Sequence, residues 1–82
     1  MAQKNYEKIG EVNGRWKAEI IEGYLRTKGI DVELVQEAIT HYLYKGAFDL
    51  VHIYVLDKEA IKARVFLNSF DEFQPEEDEE EE

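Results

Sequence analysis

Cysteine and histidine, which often act as nucleophiles, bases or metal ligands, are scarce in this chain of 82 residues. It has no cysteine, and its two histidines are His41 and His52. A metal site needs three or four convergent ligands, and two histidines on different predicted elements do not supply them. Glu19 and Glu22 lie one helical turn apart and could suggest an acid pair. Because Arg26 shares their helix face, we instead predict a solvated surface with ion pairs between neighbouring turns.

The motifs of common enzyme classes are also missing from the sequence. It contains neither a glycine-rich phosphate-binding loop nor a strand-turn-helix nucleophile motif. No nucleophile is paired with a base, and acid–base chemistry would need a carboxyl group in an apolar pocket, which no stretch predicts. We therefore expect no enzymatic activity, no catalytic residue, and no cofactor or metal.

The net charge of −9 is concentrated at the end of the chain. Residues Glu76 to Glu82 contribute seven of the 19 acids and none of the 10 bases. Without them, 12 acids face 10 bases, which leaves a net charge of −2. A block of like charges repels itself and cannot bury apolar surface, so we predict one domain at residues 1–75 and a disordered acidic tail at 76–82. Such a tail repels phosphates, which argues against a nucleic-acid partner.

Hydropathy gives an expectation about location. The sequence has no signal-peptide pattern and no apolar run near the roughly 18 residues that a membrane-spanning helix needs. Together with the absence of cysteine, this predicts a cytoplasmic protein without a membrane partner.

Hydrophobic periodicity divides the folded part into strands and helices. Asn13–Gly14 is a turn signal and Asn13 a potential cap, Gly29 predicts the end of the first helix, and Asp57 is a suitable N-cap for the second. The connection before the third strand is ambiguous and has room for a short helix. In chain order we predict a weak strand, a helix, a strand, a long connection, a strand and a helix, at residues 6–12, 15–28, 30–34, 36–47, 48–56 and 57–73.

This order of elements predicts an α+β fold. A right-handed crossover places the third strand between the first two, with both helices on one face of the sheet. The expected architecture is a ferredoxin-like β-α-β-β-α sandwich with a three-stranded antiparallel sheet that lacks the last strand of that fold. Lys8 and Gly10 suit an exposed edge, so we expect the first strand to be unpaired on its outer side.

A family resemblance is carried by residues of the first helix, the second and third strands and the second helix: Ala18-Glu19-Ile20-Ile21, Leu25, Gly29-Ile30, Val51-His52-Ile53-Tyr54-Val55, Asp57, Ala60 and Ala63. Over residues 6–70 the chain resembles a small bacterial family of unknown function described as a prokaryotic signal transducing protein. The resemblance implies a ferredoxin-like fold, similar to that of the P-II nitrogen regulators, and a regulatory role. It supplies no catalytic residue. The connection at 36–47 has a single glycine where relatives are glycine-rich and longer, and the acidic tail lies outside the family pattern.

The third strand is apolar on both faces, although helices can cover only one of them. We predict that the uncovered face is an interaction surface, since a solvated sheet face is normally more polar. Tyrosines in the connection extend this surface or, alternatively, fold back over the sheet. The predicted surface residues are Tyr6, Tyr42, Tyr44, Leu50, His52 and Tyr54, with Val12 placed on the same side.

Two functions are compatible with this pattern. The first is a non-enzymatic regulatory or signal-transducing module that binds a protein partner, or a second copy of itself, through the open sheet face and the first-strand edge. The alternative is a small-molecule sensor of the P-II type, in which the connection at residues 36–47 closes over a metabolite.

Overall fold

The computed structural model describes residues 5–36, 50–71 and 73–75. They form an α+β fold with an open four-stranded antiparallel sheet and two helices. The elements are β1 (Tyr6–Asn13), α1 (Arg15–Thr27), β2 (Val32–Gln36), β3 (Leu50–Leu56), a 3-10 turn (Asp57–Glu59), α2 (Ala60–Leu67) and β4 (Gln74–Pro75).

The strand order is β2-β3-β1-β4. The predicted position of the third strand between the first two is therefore confirmed. The prediction of three strands is wrong, because β4 pairs antiparallel with β1 and places Gly10 opposite Pro75 and Glu11 opposite Gln74. The outer side of β1 is thus occupied at these two residues, and the predicted free first-strand edge is corrected there.

Gly10 is the residue that allows the C-terminal segment to lie so close to β1. A Cβ atom at this position would lie 2.4 Å from Cζ of Phe73 and 2.5 Å from the carbonyl oxygen of Gln74. Phe73 is only 7% exposed and belongs to the core. The glycine that suggested a weak edge in the sequence is therefore a contact point between two strands.

Helix α1 is amphipathic and ends as the sequence predicts. Gly29 has a φ of 79°, which glycine adopts without strain. Its N–H donates to the carbonyl of Arg26 at 3.0 Å, and the N–H of Ile30 donates to the carbonyl of Leu25 at 3.1 Å. These two bonds form a Schellman motif, which satisfies carbonyls at the helix end. At the other end the N-cap is Gly14, without a side-chain cap, rather than Asn13.

Several boundaries differ from those predicted. Strand β2 begins at Val32 and extends to Gln36, two residues beyond the predicted end at residue 34, so it includes Gln36 of the predicted connection. Asp57 makes no side-chain cap; it begins the 3-10 turn, and its N–H donates to the carbonyl of Asn5 at 2.9 Å. Helix α2 ends at Leu67, well before the predicted end at residue 73. The chain must turn there because it returns to pair with β1.

Both helices share a single apolar core with one face of the sheet. Val51, Ile53 and Val55 of β3 point into this core and are fully buried. The other members of the buried cluster are Ile9, Val12, Ala18, Ile21, Leu25, Ile30, Val32, Ala60, Ala63, Leu67 and Phe73. The two helices therefore lie on the same side of the sheet, as predicted.

Val12 lies in this core, so its predicted place on the open face is wrong. A β-bulge between Lys8 and Gly10 inserts one extra residue into β1. Beyond the bulge each side chain of β1 points to the face opposite to that expected from strict alternation. Val12 consequently pairs with Val51 on the helix side.

No helix in the described ranges is long and apolar enough to span a membrane.

Candidate interaction surface

The face of the sheet opposite the helices is centred on β3. Its outward residues Leu50, His52, Tyr54 and Leu56 alternate with the buried valines and isoleucine, and all four are half-buried. Because both helices pack against the inner face, neither helix covers these side chains. The structure thus brings together three residues of the predicted surface, Leu50, His52 and Tyr54. We call the surface formed by the outward residues of the strands the open sheet face.

Tyr6 lies at one end of the open sheet face. Its register partner on β3 is Leu56, and its hydroxyl group donates a hydrogen bond to Oδ2 of Asp31 at 3.1 Å. Asp31 directly precedes β2, so this bond links the start of β1 to the start of β2 across β3. Tyr6 therefore fixes one end of the open sheet face and contributes half-buried aromatic surface to it.

Tyr42 and Tyr44, the two other predicted surface residues, lie outside the described residues. The same holds for the connection at residues 36–47 except Gln36. The P-II-type sensor depends on that connection closing over a metabolite, so the sensor stays a prediction.

A cluster of charged and titratable groups lies beside the apolar side chains. Nζ of Lys8 is 3.1 Å from Oε1 of Glu11, and Nδ1 of His52 is 3.4 Å from the same oxygen. The carboxylate of Glu11 therefore lies between a lysine and a histidine. Sequence analysis missed this cluster because strict alternation places Glu11 on the helix side, whereas the bulge turns it outward. Within the described ranges, no group of three or more His, Cys, Asp or Glu side chains could hold a metal ion.

The register of the three long strands arranges the open sheet face in rows. Lys8, Tyr54 and Glu33 form one row, so the tyrosine at the centre is flanked by opposite charges. Val35, which is 49% exposed, lies next to His52 in the adjacent row. The surface therefore combines large apolar groups with charged groups.

The start of β2 is tied to α1 by one arginine. Arg26 donates from Nη2 to the carbonyl oxygen of Val32 at 3.0 Å and to Oε2 of Glu22 at 2.9 Å. The hydrogen bond that Arg26 donates to the carboxylate of Glu22 raises the pKa of Arg26 above its ordinary value. The guanidinium of Arg26 stays charged. Among the described strands, β2 pairs only with β3, and Arg26 provides the carbonyl of Val32 with a hydrogen-bond donor from α1.

Comparisons with protein-family models, with curated proteins and with solved structures find no match for this chain.

Proposed function

We propose that this protein is a non-enzymatic regulatory or signal-transducing module that binds a protein through its open sheet face. The observation that carries the proposal is the outward row of Leu50, His52, Tyr54 and Leu56 on the central strand, opposite both helices. The bound surface is either a partner protein or a second copy of this chain. The predicted first-strand edge no longer belongs to the site at Gly10 and Glu11, since β4 pairs there.

We also propose that the fold is ferredoxin-like and that the chain is related to the signal transducing family that it resembles. The strand order β2-β3-β1-β4, with one helix after β1 and another after β3, supports a β-α-β-β-α-β arrangement. The regulatory role and the bacterial origin rest on that resemblance, and the proposed cytoplasmic location rests on the hydropathy of the sequence and its lack of cysteine.

Burial of the open sheet face would contribute to binding in proportion to the apolar area that is removed from water. Removing about 400 Å² of apolar surface from water contributes on the order of 10 kcal/mol before the costs of association. Those costs are estimated at roughly 4–15 kcal/mol. Because the gain and the costs are of the same order, a single charged substitution at the centre of the surface should have a large effect on binding.

Tyr54→Glu tests the proposal. The substitution adds a negative charge in the central row of the open sheet face and leaves the core residues Ile53 and Val55 in place. We expect at least a tenfold loss of self-association in sedimentation velocity, or the loss of partners captured by the wild-type protein. Ile61→Glu is the matched control, since Ile61 is 77% exposed on α2 and receives the same charge change. Unchanged association and an unchanged set of partners in Tyr54→Glu would contradict the proposal.

A further inference from the structure

A second apolar surface lies on the helix side of the molecule, away from the open sheet face. Trp16 and Ile20 of α1 are 65% and 54% exposed. With Lys17, Ile21 and Phe70 they line a pocket of about 170 Å³. Sites for small organic ligands usually enclose roughly 300–1,000 Å³. This pocket is therefore better suited to one large apolar side chain of a protein partner than to a metabolite.

Next to the pocket, aromatic rings of α1 and of the segment that contains α2 and Phe70 pack against one another. The ring of Tyr24 lies 6.2 Å from that of Phe66 and 5.2 Å from that of Phe70, measured between centroids. We call the surface formed by the pocket and these rings the α1–α2 groove. An apolar groove between two helices is the usual binding site for the apolar face of a third helix.

Two lysines lie next to the α1–α2 groove, while Asp71 directly follows Phe70 in the chain. Nζ of Lys28 lies 5.4 Å from the ring centroid of Tyr24 and 5.3 Å from that of Phe66. Lys62 is exposed and lies one turn before Phe66, on the same side of α2. The acids of α1 are engaged elsewhere: Glu19 and Glu22 pair with arginines of the same helix, at 3.2 and 2.9 Å. The groove is thus complementary to a negatively charged ligand.

Gly23 leaves the surface of α1 open next to the pocket. It lies in the interior of α1, it is exposed, and a Cβ atom added there would meet nothing within 4 Å. Contacts within the described chain therefore do not require glycine, although glycine weakens a helix interior relative to alanine. It lies one turn after Ile20, so its missing side chain lets a second helix approach next to the pocket.

We propose that the α1–α2 groove binds an acidic amphipathic helix of another protein. One large apolar side chain of that helix fills the pocket at Trp16 and Ile20, its backbone passes close to Gly23, and its carboxylates lie against Lys28 and Lys62. A second copy of this chain is a poorer occupant. In an antiparallel two-fold pairing of α1 with itself, the side of the helix that carries Lys17 and Lys28 would face the same side of the other copy. The positive charges of the two copies would then repel each other.

The single tryptophan of the chain provides a direct readout, because Trp16 lines the pocket. The probe is a synthetic helical peptide without tryptophan that has a leucine and phenylalanine face and a glutamate polar face. The matched control peptide has lysine at every glutamate position. We expect the emission of Trp16 in the full chain to shift to shorter wavelength with saturation by the acidic peptide. Its Kd should be at least tenfold lower than that of the lysine peptide and should rise with salt.

Variants separate this proposal from the alternatives. Lys28→Glu combined with Lys62→Glu should weaken the acidic peptide at least tenfold, whereas Tyr54→Glu should leave the titration unchanged because it alters only the open sheet face. Absence of binding by both peptides, or equal binding of both, would overturn the proposal. So would an emission shift that depends on protein concentration alone, which indicates a second copy. Binding that appears only after removal of Glu76 to Glu82 would make the chain's own acidic segment the occupant and would likewise overturn it.

Discussion

At the scale of single residues, Gly10 and Gly23 show that the same residue type serves opposite purposes in one small domain. Gly10 is buried where β4 pairs with β1, and a Cβ atom there would collide with Phe73 and Gln74. Gly23 is exposed on α1 and has open space around it. The sequence shows two glycines within elements but does not show what approaches either one.

Gly10→Ala should destabilise the protein by about 1–3 kcal/mol, the usual cost of forcing extra atoms into a packed site. The contacts at 2.4–2.5 Å involve an aromatic ring and a backbone carbonyl, and neither can move without disturbing the pairing of β4. Chemical denaturation followed by circular dichroism measures the effect. A free energy of unfolding equal to that of the wild type would show that the C-terminal segment does not pack on Gly10.

Gly23→Ala should stabilise the protein by about 0.5–1 kcal/mol, since alanine loses less backbone entropy than glycine in a helix interior. No neighbour within 4 Å opposes the added methyl group. The same denaturation experiment measures it, and Gly10→Ala serves as its counterpart with identical chemistry. Loss of stability in Gly23→Ala would indicate a packing role within the chain and would weaken the inference that another molecule uses this position.

At the scale of elements, the bulge in β1 decides what the open sheet face contains. Without it, Val12 would point outward and Glu11 inward. With it, Val12 completes the core, and the carboxylate of Glu11 lies 3.4 Å from His52. Hydrophobic alternation predicts the existence of a strand but not a single inserted residue within it. This explains why the sequence predicted the outward residues of β3 but missed the ion-pair cluster beside them.

Strand β4, like the bulge, could not be predicted from local sequence patterns. The central position of β3 and the helical run of α1 follow from long, strongly periodic segments. By contrast, β4 comprises two residues, Gln74 and Pro75, and has no period of its own. Its position depends on the burial of Phe73, a contact between the two ends of the described chain that no local pattern reveals.

Phe73→Ala should therefore lower the free energy of unfolding by about 3–5 kcal/mol, the range for deleting a buried phenylalanine side chain. Phe73 is 7% exposed and packs on Gly10. The free energy of unfolding of a whole domain is only about 5–15 kcal/mol. The Phe73→Ala variant should therefore unfold at a distinctly lower temperature than the wild type. Differential scanning calorimetry measures the change, with Gln74→Ala as the control because Gln74 is exposed. Equal melting temperatures for the two variants would contradict the assigned role of Phe73.

At the scale of the whole molecule, most of the net charge belongs to residues outside the described fold. The described core contains no buried charged residue, and the Arg15–Glu19 and Arg26–Glu22 ion pairs lie on the surface, where such a pair contributes little to stability. The seven acids of Glu76 to Glu82 bring the net charge from −2 to −9. Folding and binding should therefore respond differently when that charge is removed.

Deletion of Glu76 to Glu82 should change the free energy of unfolding by less than about 0.5 kcal/mol, as is usual for surface changes, because the described helices and strands end at Pro75. The same deletion should increase association, since a net charge far from zero keeps protein molecules apart. Chemical denaturation measures the first effect, and light scattering at rising protein concentration measures the second.

A variant with glutamine at these seven positions separates the effect of charge from that of chain length. It should associate to the same extent as the deletion variant. A loss of more than about 1 kcal/mol on deletion would mean that these residues stabilise the domain and do not act through charge alone.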